Sequence, residues 1–88
     1  MLLARLPADG AAAFEQYERR VLPLLSVHGG RLARRLRSPD HLVEVHMVEF
    51  PSTRAFAAYR DDPARAAHAG LLEASGAVTE LFELYDAA

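Results

Sequence analysis

The stretch from His41 to Tyr59, HLVEVHMVEFPSTRAFAAY, constrains the fold more than any other part of the chain. It begins with an alternating pattern typical of a β-strand, is interrupted by Pro51, and continues with a helical pattern. One side of the alternation carries Leu42, Glu44, His46, Val48 and Phe50, and the other carries Val43, Val45, Met47 and Glu49. Because both sides are mostly apolar, the pattern predicts a central strand that is covered on both faces.

The residues before the hairpin region predict a strand followed by a helix. Leu2 to Leu6 is a short apolar run typical of a first strand. From Ala11 to His28 apolar residues recur at spacings of three and four, which predicts a helix with one apolar stripe and with Glu18 off that stripe. Pro23 is expected to bend or split this helix, and Gly29-Gly30 to end it.

A β-hairpin is predicted next. Arg31 to Arg37 alternates arginine with apolar residues, which is typical of an edge strand protected by charge. Ser38-Pro39-Asp40 supplies the turn to the central strand. A hairpin symmetric about Pro39 would place Arg34 opposite Glu44.

The remainder of the chain predicts two further helical segments and a last strand. Ser52 is expected to cap a helix from Thr53 to Tyr59, and Asp62-Pro63 to start a second segment that runs to Ala74. Ala77 to Tyr85 alternates and forms the last strand. The order β-α-β-β-α-β predicts one α+β domain, residues 1–88, with a ferredoxin-like four-stranded antiparallel sheet and helices on one face.

The predicted sheet has one face that the helices leave bare. Two helices cover only one side, whereas the other side carries Val43, Val45 and Met47, with Thr79 and Leu81 from the last strand. A second copy of the chain, packed sheet against sheet, would cover this apolar face. We therefore expect a homodimer.

Composition excludes several kinds of chemistry and partner. The chain of 88 residues has no cysteine and no lysine, so thiol catalysis and Schiff-base chemistry are excluded. Its four histidines lack metal-ligand spacing, and its net charge of -2 argues against nucleic acid. No apolar run approaches the roughly 20 residues of a membrane span, and no basic leader is evident, so a cytoplasmic protein is expected.

Two segments resemble a small bacterial family of the dimeric α+β barrel superfamily. The first is His28-Gly29-Gly30-Arg31, preceded by Phe14, Tyr17 and the run Val21 to Leu25; the second is Val48 to Ser52, followed by Phe56, Tyr59 and Asp62-Pro63. The resemblance covers nearly the whole chain. It implies the dimeric α+β barrel fold and a ligand pocket between sheet and helices.

The wider superfamily includes antibiotic-biosynthesis monooxygenases, polyketide cyclases, muconolactone-isomerase-like enzymes and haem-degrading enzymes. Phe50 and His68 lie near the positions of a tryptophan and a histidine of the haem-degrading group. That group's asparagine has no counterpart, because the chain contains no asparagine. Haem degradation is therefore not expected, and an enzyme of this kind would use no metal or bound cofactor.

The candidate site is on the face of the central strand that carries Glu44, His46 and Phe50. His46 and His68 are the candidate catalytic residues, since histidine exchanges protons near neutral pH. Arg34, Glu44, Phe50 and Tyr59 are the candidate substrate-binding residues. Structural roles remain open for the polar members: a satisfied histidine for His46, a cross-strand ion pair for Glu44 and Arg34, and an outward position for His68.

Two functions follow from this interpretation. The first is a cofactor-free cyclase, isomerase or monooxygenase of bacterial secondary metabolism, acting on a small aromatic or polyketide-like ligand. The alternative is a non-catalytic ligand-binding or accessory dimerisation module. An open cavity beside His46 favours the first function, and a packed interior at this residue excludes it.

Overall fold

The computed structural model describes residues 1–87, and its elements follow the predicted order. The strands are β1 (Leu2–Arg5), β2 (Arg31–Arg37), β3 (Val43–Glu49) and β4 (Val78–Leu81). The helices are α1 (Ala11–Val21), a 3₁₀ helix (Leu22–His28), α2 (Thr53–Arg60), α3 (Pro63–Ala66) and α4 (Ala69–Ser75). The strands form one antiparallel sheet in the order β2-β3-β1-β4. The predicted α+β class, the four-stranded sheet and its ferredoxin-like strand order are confirmed.

The first helical region divides where proline interrupts the pattern. The segment predicted as one helix from residue 11 to residue 28 consists of α1 and the 3₁₀ helix, with Pro23 in the first turn of the latter. Proline has no N–H to donate and its ring crowds the preceding turn, so the α-helix does not continue through it. Gly29 ends the region in the left-handed conformation with φ of 72°, as its sequence position predicts.

The second helical region consists of three short helices. The Ser52 hydroxyl accepts a hydrogen bond of 3.0 Å from the Ala55 N–H, and the Asp62 carboxylate accepts one of 2.8 Å from the Ala64 N–H. Both predicted N-caps are therefore confirmed. The segment from Asp62 breaks between α3 and α4 and ends at Gly76, which has φ of 67°.

The last strand is shorter than predicted. Its expected range was residue 77 to residue 85, but β4 contains only Val78–Leu81. The reason is its partner: β4 pairs with β1 alone, and β1 begins at Leu2. Beyond the strand, the Phe82 N–H donates to the Met1 carbonyl at 2.8 Å, and the remaining residues have no strand beside them in the part of the chain that is described.

The hairpin register differs from the symmetric prediction. Arg34 lies opposite Met47, on the uncovered face, whereas Arg35 lies opposite His46 and Arg37 opposite Glu44. The predicted pairing of Arg34 with Glu44 is therefore wrong. The turn is centred beyond Pro39, because the Ser38 N–H already bonds the Val43 carbonyl, and a β-bulge between Leu32 and Arg34 shifts the register again.

The residues of the last strand also lie on the opposite faces of the sheet from those predicted. Thr79 lies opposite Ala4, which lies opposite Glu44 on the side covered by helices. By alternation Leu81 shares this side, so neither residue belongs to the bare face. Val78 lies on the bare face instead and is 61% exposed. Predicting these sides requires the register with β1, which the alternation within one strand does not provide.

The core lies between the sheet and the helices. Ala4, Leu6 and Phe14 form its centre, with Leu72 and Ala77 packed against them. α1 presents its inner side to the sheet, as the 6.5 Å separation of the Phe14 and His46 rings shows. Within residues 1–87, none of the helices combines the length and apolar character that crossing a bilayer requires.

Candidate functional site

An open cleft of about 1330 Å³ adjoins the sheet and the helices. From the helices it is lined by Tyr17, Glu18, Tyr59 and Arg65, and from the central strand by His46. Residues 82–86, which follow β4, also line it. The cleft is large enough for a drug-sized or smaller molecule, whose sites typically occupy about 300–1,000 Å³.

Three ionisable side chains form a buried row beside this cleft. Glu18, His46 and Glu44 are only 3%, 2% and 2% exposed. The His46 Nε2 lies 2.8 Å from the Glu44 Oε1, and its Nδ1 lies 3.6 Å from the Glu18 Oε2. Nε2 is thus hydrogen-bonded, whereas Nδ1 is close to Glu18 but beyond ordinary hydrogen-bond distance. We call these three residues the acid-base cluster.

Arginines of the edge strand stabilise the inner end of this cluster. Arg35 contacts the Glu44 carboxylate, and the Arg37 Nε lies 3.3 Å from it. Glu15 accepts from both arginines, at 3.0 and 2.9 Å. Burial alone would raise the pKa of Glu44, but hydrogen bonds from His46 and Arg35 and the two arginine charges outweigh it, so this pKa is lowered. Glu44 is therefore ionised at neutral pH.

Glu18 has the opposite character. Burial raises its pKa, and the nearby negative charge of Glu44 raises it further, to about 7. Arg35 and Arg65 lower this pKa by smaller amounts. Glu18 consequently exists in both protonation states near neutral pH, which is the property of a side chain that transfers protons.

An aromatic wall and Arg65 are further parts of the cleft, which Arg34 and Arg60 also line. The Phe50 ring lies 5.3 Å from Phe56 and 5.5 Å from Tyr59, measured between centroids. The Arg65 guanidinium lies over the Tyr59 ring at 5.2 Å. Burial raises the pKa values of Tyr17 and Tyr59, so both hydroxyl groups remain neutral donors at physiological pH.

The structure brings most of the predicted site residues to the cleft. His46, Phe50 and Tyr59 line it, and Arg34 lines it from the uncovered face, which the cleft also reaches. Glu44 instead lines a smaller cavity of about 230 Å³, and reaches the cleft only through its bond to His46. His68 is half-buried at the start of α4 and lines neither cavity within residues 1–87.

Two residues of the site were missed by reasoning from sequence. Glu18 was placed off the apolar stripe, but it lies four residues after Phe14 and three before Val21, which is the spacing of the stripe itself. That spacing could have identified it. Arg65 gives no comparable signal, because it lies in a short, alanine-rich segment without clear periodicity.

Two further ion pairs lie at exposed positions of the sheet. Arg5 bonds Glu80 at 2.8 Å. Glu49 pairs with Arg31 of its own chain at 2.7 Å. The residues that the structure describes contain no cluster of three or more side chains placed to hold a metal ion.

Comparisons with protein-family models, with curated proteins and with solved structures found no significant match to the chain.

Proposed function

We propose that the protein binds a small organic molecule in the cleft and exchanges a proton with it through the acid-base cluster. The observation that carries this proposal is the buried acid-base cluster, of which Glu18 and His46 line the open cleft and Glu44 bonds His46 from behind. A purely structural ion-pair network gains nothing from adjoining a cavity. Pockets that combine apolar walls with a few ionisable groups are the usual sites of ligand binding and catalysis.

The properties of Glu18 define its role. A general base works best when its pKa is close to the ambient pH, and the pKa of Glu18 is about 7. In its ionised form Glu18 would take a proton from a carbon next to a carbonyl group and return it at another position. Isomerisation and ring closure both follow this course without a cofactor.

His46 and Glu44 would support this transfer. Glu44 fixes the imidazole through Nε2 and so directs Nδ1 toward Glu18. The two arginines in turn fix Glu44. If a bound ligand brought Nδ1 within hydrogen-bond distance, a donated hydrogen bond would favour the ionised form of Glu18.

We also propose that the protein is a homodimer of the dimeric α+β barrel type. The segments His28 to Arg31 and Val48 to Ser52 support the family resemblance. The bare sheet face supports the assembly, because Val43, Val45 and Met47 are only half-buried there and Val78 is mostly exposed. A stable interface of this kind buries roughly 800 Å² on each partner.

A fragment screen followed by NMR tests the proposed ligand site. Small aromatic and polyketide-like compounds should shift the signals of His46, Phe50 and Tyr59. The Glu18→Gln variant keeps the side-chain shape but cannot take a proton, so it should bind the same compounds. Glu73→Gln, on the exposed side of α4, is the matched control.

The same compounds decide between the two functions. Slow exchange of substrate C–H protons for solvent deuterium with the wild type and with Glu73→Gln, but not with Glu18→Gln, would establish proton transfer. Binding without exchange would leave the non-catalytic ligand-binding module. A screen in which no compound shifts a cleft residue would overturn the proposal.

A further inference from the structure

Three arginines line the cleft, Arg34, Arg60 and Arg65, and within residues 1–87 only Arg65 has a buried nitrogen without a hydrogen-bond partner. Arg5, Arg31, Arg35 and Arg37 each lie within 3.3 Å of a glutamate oxygen. Arg65, by contrast, donates only one long bond, 3.5 Å, to a backbone carbonyl in residues 1–87. Its Nε is buried and has no hydrogen-bond partner there.

A buried guanidinium nitrogen without a partner is unfavourable, because the N–H has lost water and gained nothing. A ligand bound in the cleft would supply the missing acceptor once the Arg65 side chain turned toward it. A carboxylate matches the guanidinium best, since its two oxygens accept from two N–H groups at once. The cleft in which Arg65 lies is open and large enough to admit one.

The surroundings of Arg65 define the rest of the ligand. Tyr59 lies between the cation and the aromatic wall, with its ring 5.2 Å from the Arg65 guanidinium and 5.5 Å from the Phe50 ring. A ligand that reaches Arg65 with an anionic group therefore lays its body against aromatic rings. Flat, apolar ring systems fit such a wall.

We propose that the ligand is an aromatic organic acid, whose carboxylate binds Arg65 and whose ring lies against Tyr59 and Phe50. This inference rests on the proposed ligand site and adds the chemical class of its occupant. The acid-base cluster, which begins at Glu18 on the same cleft, would then act on the part of the ligand away from the carboxylate.

Benzoate and benzamide are matched probes for this inference. They have nearly the same shape, but only benzoate is charged at neutral pH. Their dissociation constants can be compared by NMR titration of the wild-type protein at millimolar concentrations. A charge-assisted hydrogen bond to Arg65 should make benzoate bind roughly tenfold to a hundredfold more tightly. This comparison needs no variant, so it cannot fail through misfolding.

Two variants test whether the preference for benzoate over benzamide comes from the Arg65 side chain. Arg65→Gln should remove the difference between benzoate and benzamide while leaving benzamide binding unchanged. Arg54→Gln, an exposed arginine of α2 that does not line the cleft, should keep the difference. Circular dichroism of both variants establishes that they are folded.

The outcomes separate the two proposals. Equal binding of the two probes in the cleft, or a preference that survives in Arg65→Gln, would overturn the anion site and leave the ligand site intact. Benzoate binding that shifts only the arginines of β2 would also overturn it. If neither probe shifts a cleft residue, the inference fails together with the proposed ligand site.

Discussion

Replacing Glu18 with glutamine should change how the stability of the protein depends on pH. Glu18 is buried and its pKa is raised from 4.5 to about 7. The folded protein therefore retains a proton on this residue at pH values where the unfolded chain has released it. Glutamine fits the same space but cannot ionise, so the variant lacks this coupling between folding and protonation.

The direction and size of the effect follow from the two pKa values. Below pH 4.5 Glu18 is protonated in both states and has no effect on the pH dependence. As the pH rises from 4.5 through about 7, the folded state must either hold a proton or bury a charge, so stability falls. The full pKa difference corresponds to about 3 kcal/mol. Relaxation of the structure around the ionised carboxylate lowers the cost of its charge, so we expect a loss of about 2 kcal/mol.

Urea denaturation followed by circular dichroism measures this effect. The free energies of unfolding of wild type and Glu18→Gln should be similar near pH 4.5. Near pH 8 the variant should be more stable by about 2 kcal/mol. Subtracting the two curves largely cancels the titration of the histidines. Glu44 does not distort the comparison, because its lowered pKa confines its contribution to lower pH.

Glu73→Gln is the control, since this side chain is exposed on α4. The free energy of unfolding of this control should depend on pH in the same way as that of the wild type. If the Glu18→Gln curve also runs parallel, Glu18 does not bury its charge on folding, and the acid-base role proposed for it loses its basis. A variant that is less stable than wild type near pH 8 would contradict the reasoning directly.

Four further substitutions test other parts of the structure. Gly29→Ala should reduce stability by about 1 kcal/mol, because Gly29 has a left-handed backbone. Gly30→Ala should reduce it by about 1–3 kcal/mol, because the new methyl group would lie 2.6 Å from the Phe50 ring. Unchanged melting temperatures of both variants would contradict these expectations. Asp62→Ala removes an N-cap and should lower the free energy of unfolding by about 1 kcal/mol, measured by urea denaturation. Met47→Glu should dissociate the proposed dimer in sedimentation analysis, and a monomeric wild type at micromolar concentration would refute that assembly.

Features with local causes could be predicted from the sequence. Pro23 divides the first helical region, and Ser52 caps α2, because a missing N–H and a hydroxyl acceptor act on the backbone next to them. The strand order follows from the order of the elements and the few ways in which they can connect. None of these conclusions required knowledge of distant residues.

The site depended on information that the local sequence does not contain. The partner of Glu44 is set by where the turn lies, since a turn centred beyond Pro39 brings Arg37 opposite Glu44, with Arg35 also in contact, in place of Arg34. The burial of Glu18 depends on residues far along the chain: the charges of Arg35 and Arg65 favour its ionised form, and the His46 Nδ1 lies 3.6 Å from its carboxylate. A charged residue on α1 is exposed unless such a partner exists, and only the folded structure reveals the partner.

The central place of β1 sets the order in which the sheet can form over time. β1 lies between β3 and β4, yet the chain emerges from the ribosome with β1 first and β4 last. The β2–β3 hairpin joins strands that are adjacent in the chain and can form early, whereas β1 is paired on both sides only after β3 and β4 have formed. We expect pulse-labelled hydrogen exchange during refolding to protect the hairpin amides before those of β1 and β4. Simultaneous protection of all four strands would show that the sheet closes in a single step.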